Sequence, residues 1–329
     1  MLTLAMGEFD LIERYFKRPA SRAVLGVGDD CALLQPAPGM QLAISSDMLL
    51  EGRHFLSSVN PERLGHKALA VNLSDLAACG ARPVAFTLAL ALPAADEAWL
   101  APFARGLFAL ADAHECELIG GDTTRGPLNI CITVFGEVPQ GRALLRSGAK
   151  PGEDIYASGT LGDARLALEA FRGTVALDAD MFTQVRSRME LPTPRVALGI
   201  ALRGIASAAI DVSDGFLGDL GHVLRASGVG ARIDAARAAP LLAAAAHPAW
   251  GAAAISRERQ IEYVLAGGDD YELAFTAPPS ARAAVQAASQ ASATPVTMIG
   301  QIESEPGLRW SGDSDSMPTK RFASFDHFA

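Results

Sequence analysis

"NPERLGHKALAVNLSDLAACGA", residues 60–81, and the "PVAFTLALALP" that follows at 83–93 decide how this chain folds. Asn60 reads as a helix N-cap, with Pro61 at the first helical position, where a missing N–H costs nothing. Leu64, Ala68, Val71, Asp75 and Ala78 then recur at spacings of four and three, which predicts one face of a helix. The next run is almost wholly apolar and reads as a buried strand. Asp75 therefore falls on an apolar stripe, where a lone charge is out of place.

The same alternation extends in both directions. Upstream, "GEFDLIERYFK" (7–17) predicts a short amphipathic helix with Phe9, Ile12 and Phe16 on one face, and "AVLGVG" (23–28) and "QLAISS" (41–46) predict strands. Downstream come a helix at "DEAWLAPFARGLFALADAHE" (96–115) and strands at "CELIGGD" (116–122) and "LNICITVFGEV" (128–138). A Gly/Arg/Lys-rich stretch, "PQGRALLRSGAKPGED" (139–154), marks a boundary between an N-terminal domain, 1–140, and a C-terminal domain, 150–329. The second half mixes helices ("DARLALEAF", "PRVALGIALRGIA", "FLGDLGHVLRAS") with strands ("AAIDV", "ARIDA", "YELAFTA", "VTMIGQI"). The Ala-rich segment 236–254 reads as surface helix and loop. The expected class is α/β (mixed α+β): two domains, each a mixed sheet backed by helices.

Composition narrows the function. A chain of 329 residues, half of it hydrophobic and 6% aromatic, suits two domains with Ala, Leu and Val cores. Its net charge of 28 − 37 = −9 argues against nonspecific binding to nucleic acid or to an anionic membrane surface. Cys31, Cys79, Cys116 and Cys131 form no C-x-x-C pair, which fits free thiols in a reducing cytoplasm. No secretory signal is expected in "MLTLAMGEFD", and the longest apolar run falls far short of the roughly 20 residues that span a bilayer.

Six places share one pattern: an apolar element ends and an Asp follows, flanked by Gly or Ser. They are "GVGDD" (Asp29, Asp30), "AISSD" (Asp47), "NLSD" (Asp75), "LIGGD" (Asp122), "IDVSDG" (Asp211, Asp214) and "LAGGDD" (Asp269, Asp270). Any one of them taken alone reads as a turn or a helix cap. Asp29 and Asp30 are the sharpest case, two charges inside the apolar run "VLGVGDDCALL" (24–34). As a set they point to a shared crevice, since strand ends of one sheet open together. Two carboxylates about 4 Å apart repel by roughly 4 kcal/mol at an effective dielectric near 20, so such a set needs cations. Asp oxygens with Ser hydroxyls beside them suit Mg²⁺, which completes its shell with phosphates. The chain has no G-x-x-x-x-G-K-[ST], no H-R-D with D-F-G and no G-x-G-x-x-G, so a bound ATP would be held by metals more than by a phosphate-cradling lysine. A metal-binding module without catalysis is the competing reading, although no D-x-[DN]-x-[DN]-G calcium loop is present.

The motifs "GEFDLI", "GVGDDCA", "SSDMLLEGRHF", "NLSDLAACGA", "GGDTT", "IDVSDGFLGDL", "GGDDYEL" and the terminal "FDHF", in this order, resemble the thiamine-monophosphate kinase family of the aminoimidazole-ribonucleotide synthetase superfamily. The resemblance spans nearly the whole chain. It implies an ATP-dependent enzyme that phosphorylates thiamine monophosphate to thiamine diphosphate, two α/β domains, and a homodimer formed through the N-terminal ones. It also implies metal ligands at Asp30, Asp47, Asp75, Asp122, Asp211 and Asp214, with Ser45 and Ser46 joining the shell through hydroxyl or backbone. Nucleotide contacts fall on Gly121, Asp122, Arg146 and Ser213, and thiamine-phosphate contacts on His54, Asp269 and Phe325. "GGDD" stands where the family commonly has "GGED", so Asp269 keeps the charge on a shorter arm. Arg105 occupies the place of an aromatic nucleotide contact, which is not carried over. The residues suit the chemistry: a carboxylate and an aromatic ring hold a thiazolium cation, and a phosphate acceptor is already ionised and needs no strong general base.

Overall fold

Asn60 caps the helix as its sequence predicts: its Oδ1 accepts the Glu62 N–H at 2.8 Å and its carbonyl the Leu64 N–H at 2.9 Å. The computed structural model of the chain describes residues 7–311. In order, the first elements are α1 (Glu8–Leu11), β1 (Ala23–Leu25), β2 (Leu33–Leu34), β3 (Met40–Leu50), α2 (Pro61–Ala78), β4 (Arg82–Leu92), α3 (Glu97–Ala113), β5 (Glu117–Arg125) and β6 (Asn129–Pro139). There follow β7 (Asp154–Ser158), α4 (Asp163–Phe171), α5 (Ala179–Glu190), α6 (Val196–Ala201), β8 (Ala208–Val212), α7 (Phe216–Ser227), β9 (Gly230–Asp234), α8 (Ala235–Ala238), α9 (Arg257–Ala266), β10 (Glu272–Ala277), α10 (Arg282–Ala291), β11 (Val296–Glu303) and β12 (Gly307–Ser311). The described residues divide into two units, 7–76 with 81–141, and 77–80 with 142–311.

The first unit holds a four-stranded sheet in the order β3-β6-β4-β5, parallel only between β4 and β5, and a small antiparallel pair, β1-β2. Phe86, Leu88, Leu90, Ile130, Ile132 and Val134 from β4 and β6 are buried, as are Leu64, Ala68, Val71 and Leu76 of α2. Helices α2 and α3 approach backbone to backbone. A Cβ on Gly106 would lie 1.7 Å from the Glu62 carbonyl oxygen and one on Gly65 2.1 Å from that of Phe103, so only glycine permits this crossing. The second unit is a six-stranded mixed sheet in the order β12-β9-β11-β7-β10-β8, parallel only between β12 and β9. Its core joins Ile155, Ala157, Ile210 and Val212 of the sheet to Phe216, Leu220 and Val264 of α7 and α9. Both sheets are mixed, as the sequence predicts. No described helix is long and apolar enough to cross a membrane.

Three local expectations are corrected. The N-terminal helix buries Phe16 as expected but not Phe9, which is 82% exposed; Leu11 is buried in its place. After α1 the chain continues as a π-helix over Ile12–Phe16, and its i→i+5 spacing brings Leu11 and Phe16 to one side. The strand expected over 23–28 is confined to Ala23–Leu25 and is no core strand, since Val24 is largely exposed. The Ala-rich segment 236–254 is not all surface. Ala238, Ala239, Leu241, Leu242 and Ala244 join the second unit's core, because alanines fit tight 3₁₀ turns. Asp163, itself buried, caps those turns by accepting the N–H groups of Ala243 and Ala244.

Candidate active site

In the first unit the motif residues meet where β3 faces α2. Successive strand residues point to opposite faces, so Ser45 and Asp47 share the face paired with buried Val134 and Ile132. There the Ser45 hydroxyl donates to the Asp75 carboxylate. The Asp47 N–H donates to Oδ1 of Asn72, whose Nδ2 is held by the Ala68 carbonyl one turn back on α2. Asp75 is half-buried, between the apolar stripe and the strand. Ser46 points the other way and bonds the Ile132 carbonyl and Thr133 Oγ1, so its hydroxyl does not join Asp75.

Asp122 is not brought to this group. Pairing aligns Met48, Cys131, Ala89 and Asp122 as one row, next to the row of Asp47. With three strand intervals between the edges, Asp122 stands about 14 Å from β3, too far for one ion to bind Asp47 and Asp122. Gly121 beside it has φ +146°, and a Cβ there would fall 1.9 Å from the Leu88 carbonyl oxygen. That position requires glycine, which lets β5 lie close against the Leu88 backbone of β4. Asp29 and Asp30 are both exposed, and Asp29 Oδ1 accepts the Asp30 N–H at 2.8 Å. Asp29 thus serves its own turn. His54 Nδ1 accepts the Leu50 N–H at 3.0 Å, which fixes that nitrogen as unprotonated.

In the second unit two loops meet. Asp211 is the last but one residue of strand β8, and Ser213 and Asp214 form the turn into α7. The loop 267–271, before β10, lies against that turn: the Asp269 N–H donates to the Ser213 carbonyl at 2.7 Å and the Tyr271 N–H to that of Val212 at 2.8 Å. Gly268, Asp269 and Tyr271 all have positive φ, of +71°, +64° and +52°, conformations that need such outside support. Below the loop, fully buried Glu272 takes the Ser158 hydroxyl, Arg188 at 2.8 Å and Arg195 at 2.6 Å. Asp270 is buried and holds the Gly162 N–H with both oxygens at 3.0 Å; burial drives its carboxyl well above the usual range. The adjacent acids differ: Asp270 is buried and anchors Gly162, whereas Asp269 is half-buried. Arg146 is exposed. Phe325 lies outside the described residues.

Among the described residues no three His, Cys, Asp or Glu side chains gather closely enough to hold a metal ion. The donors nonetheless fit Mg²⁺ in kind: Ser45 beside Asp75 in one unit, Asp211 near the end of β8 and Asp214 on the turn after it in the other, all oxygen. Mg²⁺ is usually bound by one or two carboxylates with waters and substrate phosphates, not by an all-protein cage. Sequence reading missed Asn72, Glu272 and the two arginines. Asn72 and Glu272 stand inside quoted motifs, "NLSD" and "GGDDYEL", while nothing in the sequence ties Arg188 or Arg195 to them.

Residues 28–138 match the AIR synthase related protein N-terminal domain family and residues 150–311 the corresponding C-terminal domain family. The thiamine-monophosphate kinase of Salmonella typhimurium is 47% identical over 99% of both chains, and that of Escherichia coli 46% over 99% of both. The chain belongs to the thiamine-monophosphate kinase family. Among solved structures, the thiamine-monophosphate kinase from Stenotrophomonas maltophilia superposes with a TM-score of 0.83 at 43% identity, covering 94% of this chain and 98% of that one. A second, AaThiL complexed with AMPPCP and TMP, gives 0.75 at 28% identity over 89% of both chains.

Proposed function

We propose that this protein transfers the terminal phosphoryl group of ATP to thiamine monophosphate, giving ADP and thiamine diphosphate, in one in-line step assisted by several Mg²⁺ ions. The observation that carries this reading is full-length identity near half with two thiamine-monophosphate kinases. A structural relative complexed with AMPPCP, a triphosphate analogue, and TMP supports it. Asp30, Ser45, Ser46, Asp47, Asp75, Asp122, Asp211 and Asp214 would hold the metals. Gly121, Asp122, Arg146 and Ser213 would meet the nucleotide, and His54, Asp269 and Phe325 the thiamine phosphate. Bound Mg²⁺ would offset repulsion between the two anionic phosphates and hold them in line. The chain's own share is placement. Ser45 turns its hydroxyl onto Asp75 and so orients that carboxylate. Asp269, held at φ +64° on its loop, offers a negative charge to the thiazolium ring. Arg146 would stabilise charge on the ATP phosphates. No base is required, since the acceptor phosphate is ionised at neutral pH.

A homodimer through the N-terminal domain is part of the proposal. On β3 the side away from Asp75 carries Met40, Leu42, Ile44, Met48 and Leu50, with Ile44 59% and Met48 51% exposed. An apolar strand face of that size asks for a cover, and a second copy of the same face is the proposed one. Four free cysteines accord with a cytoplasmic location.

The test of the function is an assay of ATP with thiamine monophosphate beside free thiamine. The expected products are ADP and thiamine diphosphate from the monophosphate alone, with none after EDTA treatment without added metal. Turnover in metal-free enzyme would overturn the metal-assisted mechanism, and no thiamine diphosphate with metal present would overturn the reaction.

A further inference from the structure

Asp219 lies on the first turns of α7, inside "IDVSDGFLGDL", and is 4% exposed. It has no place among the residues assigned above. Its Oδ2 accepts three successive backbone N–H groups, those of Ser213 at 3.0 Å, Asp214 at 3.1 Å and Gly215 at 3.1 Å. A carboxylate oxygen that gathers three N–H donors fixes the peptide planes of a turn, because each donor must aim at one point. The same turn offers its carbonyls outward, that of Ser213 to the Asp269 N–H and that of Val212 to the Tyr271 N–H. Gly268 packs onto it as well: a Cβ there would stand 2.8 Å from the Ser213 carbonyl oxygen. The turn is therefore held from below by one side chain and itself holds the strained loop above.

We infer that Asp219 is a positioning residue: through the Ser213–Gly215 turn it sets Ser213 and Asp214 on one side of the site and Asp269 on the other. Its link to the reaction rests on the proposed function; its effect on the two loops does not. Burial pushes its carboxyl up to about 7, with the Asp214 charge adding to the rise and the three N–H donors opposing it. The oxygen acceptor, present in either protonation state, is what the turn requires. An amide would supply an acceptor of the same shape with weaker bonds, and a methyl group would supply none.

The experiment compares full-length Asp219→Asn and Asp219→Ala with the parent chain by residue-resolved amide exchange in the absence of ligands. In D219N the amides of Ser213, Asp214, Gly215, Asp269 and Tyr271 should exchange about tenfold faster, with the other strands of the sheet unchanged. In D219A the same five should exchange faster still. If D219A does not fold, D219N decides alone. Unchanged exchange at those five amides in D219N, or acceleration spread evenly over the sheet, would overturn the proposal. A kinetic arm measures KM for thiamine monophosphate and the Mg²⁺ concentration at half-maximal rate. Both should rise about tenfold in D219A and about threefold in D219N, since positioning residues act on binding and metal use together. Altered exchange with both constants unmoved would sink the role in the reaction. A parent chain inactive on thiamine monophosphate would sink the proposed function while leaving the exchange result to decide the role of Asp219.

Discussion

Asp75 shows how much one residue's surroundings decide. It stands on a helix face with buried Leu64, Ala68 and Val71, and a hydroxyl from the facing strand is aimed at it. A half-buried carboxylate in that place costs desolvation that an apolar side chain would avoid. Asp75→Asn keeps the shape and the Ser45 bond but removes the charge. It should leave the melting temperature within a few degrees while lowering turnover at limiting Mg²⁺ by about 100-fold, with partial recovery at high Mg²⁺. Unchanged turnover at limiting metal would show that Asp75 serves packing alone. Asp29 and Asp270 are the contrasting cases. Each stands beside an acid assigned to the site, yet each carboxylate is turned onto a backbone N–H.

Among the elements, β1 is tethered to β5 through one carboxylate. Glu117, at the start of β5, accepts the Ser21 N–H and hydroxyl and the Arg22 N–H, all between 2.6 and 2.9 Å. Burial tends to raise its carboxyl, but the Ser21 hydroxyl and the N–H groups of Arg22, Ser21 and Ala23 outweigh it, and the pKa falls below the ordinary 4.5. A carboxylate depressed on folding contributes stability that is present above its unfolded pKa and is lost as the pH falls through the lower, folded value. Amide exchange over residues 20–25 should thus stay slow from neutral pH down to about 4.5 and accelerate below it, beyond the intrinsic pH dependence of exchange. Glu117→Gln should bring the faster local exchange at neutral pH, and an unaltered profile in that variant would exclude the tether. The helices were easier to read than such contacts. Asn60–Pro61 and the 4-3 spacing specified α2 because capping and amphipathicity are local. Strand β7 escaped because all five of its residues are buried, which erases alternation, and because it follows a Gly/Lys/Pro stretch that reads as linker. The π-helix after α1 changed the buried set without any local signal.

For the whole molecule, two mixed sheets and the family were legible from motif order and alternation, since both are written in linear sequence. Of the candidate site, the motif Asp, Ser and Gly residues were legible. What orients them was not: Asn72, Glu272 with its arginines, and Asp219 act through contacts made only once distant segments meet. Separation of Asp47 from Asp122 likewise follows from strand order, which sequence does not state. The proposed assembly gives a test at this scale. Ile44→Lys puts a charge at the centre of the exposed side of β3. Light scattering should give twice the chain mass for the parent protein and the single mass for the variant, with the fold retained by circular dichroism. A variant still at twice the mass would place the subunit contact elsewhere.

Strand β3 also constrains how such a gene can drift. Its odd-numbered residues, Ser45 and Asp47, serve the face toward α2, and its even-numbered ones, Met40 to Leu50, the opposite face. Because the period is two, deleting a single codon between 40 and 44 would move one flank of the strand by one place relative to the other, carrying methionine and isoleucine inward and serine outward or else breaking the pairing with β6. Substitutions there can be accepted one at a time, whereas a length change alters two surfaces in one event. Alignments of related chains should therefore run without a gap from residue 40 to residue 50, even where the identities of those residues vary.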